Sequence, residues 1–327
     1  MSHAALDHVS TSNRKLTIVV LLGGWSSERE VSLASGRAVI DALRSRGHDV
    51  RELDPAAIDI LTYPWAGVDA AFIALHGSFG EDGTVQSLLE ELRIPYTGSD
   101  PAASRLAMSK SASKQRFMAQ GLPTPTYQTA HHQESPASIA EKASTIGFPL
   151  VVKPNAQGSS VGVTIVHAAG ELDDALHAAF RFDPLALLEK FIAGREMTVA
   201  VLDRRPLPAI EVRPARAFYD YLAKYHDVTT AYVFDTDLPP AVVRNVEALA
   251  VSAVESLGTS GAARVDLRLD EQNGPWLLEV NTIPGFTDHS LVPKAAARAG
   301  IGFPELCEQL VVTKLQPAID TRGNRAA

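Results

Sequence analysis

Apolar and polar side chains alternate along residues 264–269 and again along 278–281, on either side of a short polar segment. A period of two is typical of a β-strand that buries one face. The intervening Glu-Gln-Asn-Gly at 271–274 has the composition of a tight loop. The sequence therefore predicts a β-hairpin, with Leu278 and Val280 of the return strand on its apolar face.

The polar face of this hairpin predicts a metal site. Closing the hairpin symmetrically about its loop places Asp266 opposite Glu279, and Arg264 opposite Asn281. Cβ atoms of opposed residues lie about 4.5–5.5 Å apart, so the two carboxylates repel unless a cation lies between them. Carboxylate and amide oxygens are hard ligands that suit Mg²⁺. The alternative is a solvated polar face with a register that is shifted by one residue.

Length and composition limit the number of domains, the class of ligand and the cellular location that this chain can have. The chain of 327 residues is long enough for two or three domains. The net charge of -8 argues against a nucleic-acid surface, and the single cysteine, Cys307, excludes an internal disulfide framework. No apolar run approaches the ~18–20 residues that cross a membrane. Residues 1–13 lack the apolar core of a signal peptide. We therefore expect a cytoplasmic location, with disordered tails at 1–13 and 320–327.

The N-terminal third alternates apolar runs with helical segments. Short runs at 16–22, 49–53 and 70–75 read as buried parallel strands, and this alternation predicts a doubly wound sheet. Ligands of such sheets bind in the loops at the carboxyl ends of the strands. Glu28 and His76 lie in loops of this kind, which makes them candidate ligand-binding residues, although a purely structural role is equally compatible with the pattern.

The central part of the chain contains a candidate phosphate loop. Residues 148–166 read as a strand, a glycine-serine loop and a second strand, with Lys153 near the end of the first strand. Backbone N–H groups of the loop, the hydroxyls of Ser159 and Ser160 and the Lys153 ammonium are suited to bind phosphate. The alternative is a plain hairpin turn, which explains the glycines but not the lysine and the serines.

Three further segments are predicted around this loop. Residues 101–120 read as one helix that carries Lys110 near its start, and residues 240–257 form an amphipathic helix. Residues 211–233 combine aromatic and charged side chains without a clean period. A connection of that length is typical of a functional lid.

Several longer motifs follow one another along the chain: Gly23-Gly-Trp-Ser-Ser-Glu-Arg-Glu-Val-Ser-Leu, His76-Gly-Ser-Phe-Gly-Glu-Asp-Gly, Gly158-Ser-Ser-Val-Gly, Tyr219-Asp-Tyr-Leu-Ala-Lys-Tyr, Arg264-Val-Asp and Glu279-Val-Asn-Thr-Ile-Pro-Gly-Phe-Thr. Together they resemble the D-alanine–D-alanine ligases of the ATP-grasp superfamily, over about residues 16–315. This resemblance implies a three-domain α/β enzyme, with an N-terminal doubly wound parallel sheet and two α+β domains that clamp the nucleotide. The implied domains are 14–108, 109–198 and 199–319.

The resemblance also implies an activity. Such enzymes join two D-alanines with hydrolysis of ATP to ADP, for peptidoglycan synthesis, and they are commonly homodimers. Two Mg²⁺ ions, with Mn²⁺ as a substitute, are implied at Asp266, Glu279 and Asn281. The resemblance implies the following nucleotide-binding residues: Lys110, Lys153, Ser159, Ser160, Glu189, Lys190, Ile192, Glu196 and Lys224. Among these, residues 189–192 are implied to hold adenine through their backbone, and Glu196 the ribose.

Residues for the two alanines are implied in the same way. Glu28 is implied to bind the ammonium of the first D-alanine, with His76 nearby. Arg264 and the Gly285 N–H are implied to form the oxyanion hole. Ser290 and the Leu291 N–H are implied to bind the carboxylate of the second D-alanine.

A link between the phosphate loop, the lid and Glu28 is implied through Ser159 and Tyr225. Three positions depart from the usual pattern: Gln157 stands where Glu is common, Ser109 where Asp often precedes the lysine, and Ser87 where Gly often follows Gln86. The alternatives to dipeptide synthesis are a ligase that uses D-lactate or D-serine, an ATP-grasp ligase of another pathway, and a nucleotide-binding sensor without turnover.

Overall fold

The computed structural model describes residues 14–213, 230–287 and 290–316. The predicted tails at 1–13 and 320–327 lie outside these ranges, and so does most of the predicted lid, including Lys224 and Tyr225. Among the helices that the structure describes, none combines the length and the apolar composition that a membrane crossing requires.

The described strands, in chain order, are β1 (Thr17–Leu21), β2 (Asp49–Leu53), β3 (Ala70–Ile73), β4 (Tyr127–His131), β5 (Leu150–Pro154), β6 (Thr164–Val166), β7 (Leu185–Lys190), β8 (Arg195–Leu202), β9 (Arg205–Pro206), β10 (Ile210–Arg213), β11 (Ala231–Val233), β12 (Ala262–Leu269) and β13 (Pro275–Asn281). The described α-helices are α1 (Arg29–Ser45), α2 (Thr84–Glu91), α3 (Pro101–Met108), α4 (Lys110–Ala119), α5 (Pro136–Ile146), α6 (Leu172–Phe180), α7 (Pro240–Leu257), α8 (Leu291–Arg298) and α9 (Phe303–Leu315).

These elements form two compact units. The first unit takes the described residues within Met1–Gly80, Thr84–Ser99 and Ile283–Ala327, and the second takes Glu81–Gly83 and those within Asp100–Thr282.

A parallel sheet forms the centre of the first unit. Its strand order is β2-β1-β3, and the apolar runs that predicted these strands are buried. Val19 and Leu21 of β1 pack with Val85 and Leu89 of α2, while the alternate β1 residues point to the opposite face of the strand. Helices α1 and α9 pack against each other and against the sheet. The predicted doubly wound architecture is confirmed.

Two antiparallel sheets form the second unit. One has the order β4-β7-β5-β6, and its core includes apolar residues of α5 and α6. The other has the order β11-β10-β8-β12-β13, with β9 beside β8, and its core includes residues of α4 and α7. Each sheet therefore has its own hydrophobic core within the same unit.

The hairpin β12–β13 confirms the two predicted cross-strand pairs. The symmetrical register that was predicted between these pairs and the loop is not observed. Asp266 pairs with Glu279, and Arg264 with Asn281. The register then shifts, so that Leu267 pairs with Leu277 and Leu278 is left over as a bulge. The prediction that Leu278 shares the apolar face with Val280 is therefore wrong: Leu278 is only partly buried, whereas Leu277 is buried.

The predicted single helix over 101–120 is also wrong, because it is broken at Ser109 into α3 and α4. Ser109 has an extended backbone, and its Oγ accepts a hydrogen bond from Ala112 N at 3.4 Å. Asn155 holds the break, since its carbonyl accepts from Lys110 N at 3.0 Å and its Oδ1 accepts from Ser111 N at 2.9 Å. Lys110 thus begins a helix that is attached to the start of the glycine-serine loop.

The predicted division into three domains remains a prediction. The predicted boundary between residues 198 and 199 falls inside β8, which pairs with β12 along its whole length. The residues from Ile283 onward belong to the first unit, whereas the prediction grouped them with the C-terminal domain.

Candidate active site

A cleft in the second unit brings together most of the residues that were predicted to bind nucleotide. It encloses about 770 Å³, including space open to solvent. Seven of the predicted nucleotide residues line it: Lys110, Lys153, Ser160, Glu189, Lys190, Ile192 and Glu196. The predicted metal ligands Asp266 and Glu279 line the same cleft. Residues that are about 170 positions apart in sequence therefore share one site.

At one end of the cleft the two carboxylates of the hairpin are held by cations. The Arg264 guanidinium donates to Asp266 through Nε at 2.9 Å and through Nη2 at 2.7 Å. The Thr198 hydroxyl also donates to Asp266 Oδ1 at 2.7 Å. Lys110 Nζ lies 3.2 Å from Glu279 Oε2. The positive charge around the opposed carboxylates offsets the repulsion that the hairpin register creates.

Asn281 supplies the observation that tests whether a metal fits here. Its Oδ1 is buried, and no hydrogen-bond donor contacts it among the described residues. A buried amide oxygen without a donor is costly unless a ligand satisfies it. Two carboxylates and one amide oxygen form a hard-oxygen donor set that fits Mg²⁺. The described residues hold no cluster of three or more His, Cys, Asp or Glu with the arrangement of a metal site. The fit therefore depends on Asn281.

The glycine-serine loop adopts a backbone that side chains disfavour. Ser159 and Ser160 have φ values of 53° and 56°. Left-handed conformations at residues other than glycine are uncommon and concentrate at functional sites. Gly162, with φ 70°, has no room for a side chain, because a Cβ there would lie 2.9 Å from the Phe182 ring.

Gln157, where the resemblance implies Glu, makes two hydrogen bonds in the structure. The Gln157 carbonyl accepts a hydrogen bond from Lys110 Nζ at 2.6 Å, and its side-chain Nε2 donates to the Phe182 carbonyl at 3.4 Å. An ionised Glu side chain cannot make the second bond because it has no donor. Gln157 thus links the glycine-serine loop to Lys110 and to the Phe182 backbone.

The cleft lining includes Arg268, a residue that the sequence analysis missed. Arg268 lies over the Phe191 ring at 5.5 Å, and its Nη1 is 3.3 Å from Glu196 Oε2. Burial holds the pKa of Arg268 below its ordinary value, against the opposing attraction of Glu196. The alternation of β12 was the available signal, since Arg268 follows Arg264 and Asp266 on the same face.

The predicted role of Glu189 through its backbone meets a constraint. Glu189 lies inside the sheet, paired with Tyr127 on one side and Val151 on the other. Strand β7 ends at Lys190, so Ile192 lies beyond the ladder. The buried side chain of Glu189 instead forms ion pairs with Lys153 and with Lys114, a second residue that the sequence analysis missed. Lys114 follows Lys110 by four positions on α4, so helical periodicity was the signal for it.

The first unit carries the residues that were predicted for the first substrate. Glu28 is buried where the chain enters α1. A Cβ at Gly77 would lie 2.9 Å from Glu28 Oε2, so only glycine allows the loop after β3 to approach this carboxylate so closely. The Ser26 hydroxyl donates to the His76 carbonyl at 2.6 Å, which ties the loop after β1 to the loop after β3.

His76 belongs to a buried network around Ser35, a residue that the sequence analysis did not single out. His76 Nδ1 lies 3.1 Å from the Ile283 carbonyl, which only accepts, so Nδ1 is the donor. His76 Nε2 lies 3.1 Å from Ser35 Oγ. Ser35 Oγ also accepts a hydrogen bond from Phe286 N at 3.2 Å. Ser35 thus holds His76 and the backbone beside Gly285 together.

The segment after Gly285 prepares the start of α8. Ser290 precedes this helix, and Leu291 is its first residue, so the Leu291 N–H is one of the helix-start donors that lack an intrahelical partner. Ser290 Oγ lies 2.9 Å from Thr287 Oγ1 and accepts from Thr287 N at 3.1 Å. Helix starts of this kind favour anions such as a carboxylate. The predicted roles of these residues remain predictions.

Two family models match the chain. The model described as "D-ala D-ala ligase C-terminus" matches residues 117–312, and the model described as "D-ala D-ala ligase N-terminus" matches residues 61–99. Among curated proteins, the D-alanine–D-alanine ligase of Bordetella avium (strain 197N) is 46% identical over 292 residues, which cover 88% of this chain and 91% of that protein.

Solved structures give similar results. The crystal structure of D-alanine–D-alanine ligase from Bacillus anthracis complexed with ATP has a TM-score of 0.79 and 33% identity, and covers 92% of this chain and 97% of that one. The VanG D-Ala:D-Ser ligase from Enterococcus faecalis has a TM-score of 0.82 and 28% identity, and covers 92% of this chain and 100% of that one.

Proposed function

Because this chain belongs to the family of D-alanine–D-alanine ligases, we propose that it joins two D-alanines into D-alanyl-D-alanine for peptidoglycan synthesis, with hydrolysis of ATP to ADP and phosphate. The observation that carries this proposal is the cleft of the second unit, where lysines, a glycine-serine loop and two opposed carboxylates line one space. This combination suits a nucleotide triphosphate with Mg²⁺.

The first step activates a carboxylate. The carboxylate oxygen of the first D-alanine attacks the γ-phosphorus of ATP, which gives an acyl phosphate and ADP. Lys110 and Lys153 neutralise phosphate charge, and positioning supplies most of the rate enhancement. Glu28 holds the ammonium of the first D-alanine, with His76 nearby. Asp266, Glu279 and Asn281 would hold Mg²⁺, which would supply neutralisation of charge on the transferring phosphoryl group.

The second step forms the peptide bond. The amine of the second D-alanine attacks the acyl carbon, and phosphate leaves with the oxygen that came from the first carboxylate. Arg264 and the Gly285 N–H stabilise the tetrahedral oxyanion, while Ser290 and the Leu291 N–H bind the second carboxylate. Closure of the predicted lid excludes water, which would otherwise hydrolyse the acyl phosphate.

Further parts of the proposal rest on the sequence and the family. A homodimer, a cytoplasmic location and the three-domain division belong to it. A link from Ser159 through Tyr225 to Glu28 also belongs to it, although Tyr225 lies outside the described residues.

Replacing Ser35 by Ala is expected to lower kcat by about 10-fold with a smaller change in the KM for ATP. The change removes the hydroxyl that contacts both the Phe286 N–H and His76 Nε2, so the segment around Gly285 loses this link to His76. A buried donor without a partner costs about 1–3 kcal/mol, which sets the expected loss in the free energy of unfolding.

The matched control for this variant is Ser45→Ala, because Ser45 is an exposed serine at the end of the same helix. It should leave both kcat and the unfolding midpoint close to those of the unmodified chain. A normal kcat in Ser35→Ala, with loss of stability alone, would show that Ser35 serves only the fold.

A competition between nucleophiles tests the substrate assignment. The enzyme, ATP and Mg²⁺ are mixed with equal D-alanine, D-lactate and D-serine across roughly pH 6 to 9, and ADP and the condensed products are measured. We expect D-alanyl-D-alanine to dominate at neutral pH and above. Tyr225 carries a phenol, which is neutral at pH 7, so this position of the predicted lid adds no cation that would disfavour the ammonium of D-alanine.

The Tyr225→Phe variant should form the dipeptide more slowly. An added cation at this position would instead favour the anionic D-lactate. Mostly depsipeptide at pH 7, or mostly the D-serine product, would replace the substrate assignment by the corresponding alternative. No ADP release with any of the three nucleophiles would favour the nucleotide-binding sensor without turnover.

A further inference from the structure

Lys114 is a lysine that the fold buries completely. It lies on α4 and is among the largest side chains with essentially no solvent exposure. Lysines are almost never buried to this extent unless an anion pairs with them. Burial lowers the pKa of Lys114 to about 8, against the attraction of Glu189, which raises it. Burial of the Lys114 ammonium is unfavourable, so packing alone does not explain why a lysine occupies this position.

Lys114 and Lys153 share the carboxylate of Glu189. Lys153 Nζ lies 2.8 Å from Glu189 Oε1, and Lys114 Nζ forms an ion pair with Glu189 Oε2. Burial by itself would raise the pKa of Glu189, but the two lysines outweigh burial and hold it below its ordinary value. One carboxylate therefore faces two ammonium groups, so the cluster carries one excess positive charge.

The two lysines differ in what they can reach. Lys153 and Glu189 line the nucleotide cleft, whereas Lys114 is covered on all sides. Lys114 Nζ also donates to the Thr124 hydroxyl at 2.6 Å, and Thr124 donates to the Leu277 carbonyl at 2.8 Å. Lys114 is thus fixed to β13 and to Glu189. Of the two lysines that contact Glu189, Lys153 is the one that borders the space that a nucleotide would fill.

We propose that Lys114 is a positioning residue that keeps Glu189 neutralised, so that Lys153 can leave this carboxylate and bind a nucleotide phosphate. Removing the only partner of a buried carboxylate is strongly unfavourable. Without Lys114, Lys153 would be the one partner of Glu189 left among the described residues, and Glu189 would retain it. With Lys114 in place, transfer of Lys153 to phosphate leaves no buried charge unpaired. The proposal rests on ATP as the substrate of the proposed function.

The test separates phosphate binding from binding of the base. Dissociation constants are measured at pH 7 with Mg²⁺ for adenosine and for the β,γ-imido analogue of ATP. The Kd of adenosine divided by the Kd of the analogue is called the phosphate gain. Binding of the analogue by the unmodified chain tests the proposed function, whereas the variants test Lys114. The unfolding midpoint of each variant shows whether it is folded.

Lys114→Met should lower the phosphate gain by ~10- to 100-fold, which is the loss expected for one charge-assisted hydrogen bond. The double variant Lys114→Met/Glu189→Gln should restore the gain to within ~3-fold of the unmodified chain, because no carboxylate then retains Lys153. In the matched control, Lys153→Met should lower the gain, and adding Glu189→Gln should not restore it.

An unchanged phosphate gain in Lys114→Met would overturn the proposal, because equal losses for adenosine and the analogue indicate a purely structural role. A fall that Glu189→Gln does not reverse would overturn it as well. If Lys114→Met does not fold, Glu189→Gln alone provides the test. This variant releases Lys153 while Lys114 stays in place, so its phosphate gain should at least equal that of the unmodified chain, and a lower gain contradicts the proposal.

Discussion

Asp266→Asn and Glu279→Gln are each expected to lower kcat by at least ~10²-fold at saturating ATP. Each change removes one anionic oxygen from the proposed Mg²⁺ site while it keeps the shape of the side chain. The two variants disturb different neighbours, because Asp266 pairs with Arg264 and Glu279 pairs with Lys110. A large loss in both therefore points to what the two carboxylates share, which is the metal.

Glu271→Gln is the matched control for these variants, since Glu271 is an exposed carboxylate in the loop of the same hairpin. It should leave kcat unchanged. The measurement is a titration of kcat with Mg²⁺, in which the two site variants should also need more Mg²⁺ for half-maximal rate. Near-normal turnover of either variant at saturating Mg²⁺ would refute the metal assignment.

Lys153→Ala is expected to raise the KM for ATP by ~10- to 100-fold, with a much smaller effect on the KM for D-alanine. A hydrogen bond between an ammonium and a phosphate is charge-assisted, and its loss has about this magnitude. The fold should survive the change, because Glu189 keeps Lys114 as a partner. The variant thus separates nucleotide binding from stability.

Lys142→Ala provides the comparison, since Lys142 lies on α5, which packs on the sheet that carries Lys153, and does not line the cleft. It should leave both KM values unchanged. Equal losses for ATP and D-alanine in Lys153→Ala, or loss of the folded state, would contradict a phosphate role for Lys153.

The hairpin shows how far the sequence predicts this fold. Alternation gave the strands and the opposed pair Asp266 and Glu279, because a period of two is a local property. It missed the bulge, because Leu277 has partners outside the hairpin. Its N–H donates to the Pro123 carbonyl, and its own carbonyl accepts from the Thr124 hydroxyl. Contacts with a segment about 150 residues earlier leave no trace in a local pattern.

The break at Ser109 has the same kind of cause. A helix over 101–120 satisfies local propensity, but Asn155 supplies hydrogen bonds that compete with continuation of the helix. These bonds bring Lys110 to the start of the glycine-serine loop. The charged site residues at strand ends were predicted. Their partners Lys114 and Ser35 were missed, because helical spacing places Lys114 on the face of Lys110 but does not show that either side chain is buried.

Transfer of ¹⁸O from the carboxylate of D-alanine to inorganic phosphate is the most direct test of an acyl phosphate route. The chain is incubated with ATP, Mg²⁺ and D-alanine that carries ¹⁸O at both carboxylate oxygens, and the phosphate is examined by mass spectrometry. We expect one ¹⁸O in each phosphate released, with one ADP and one dipeptide formed per phosphate. Phosphate without ¹⁸O would mean that water, and not the carboxylate, accepts the phosphoryl group, and it would contradict the proposed function.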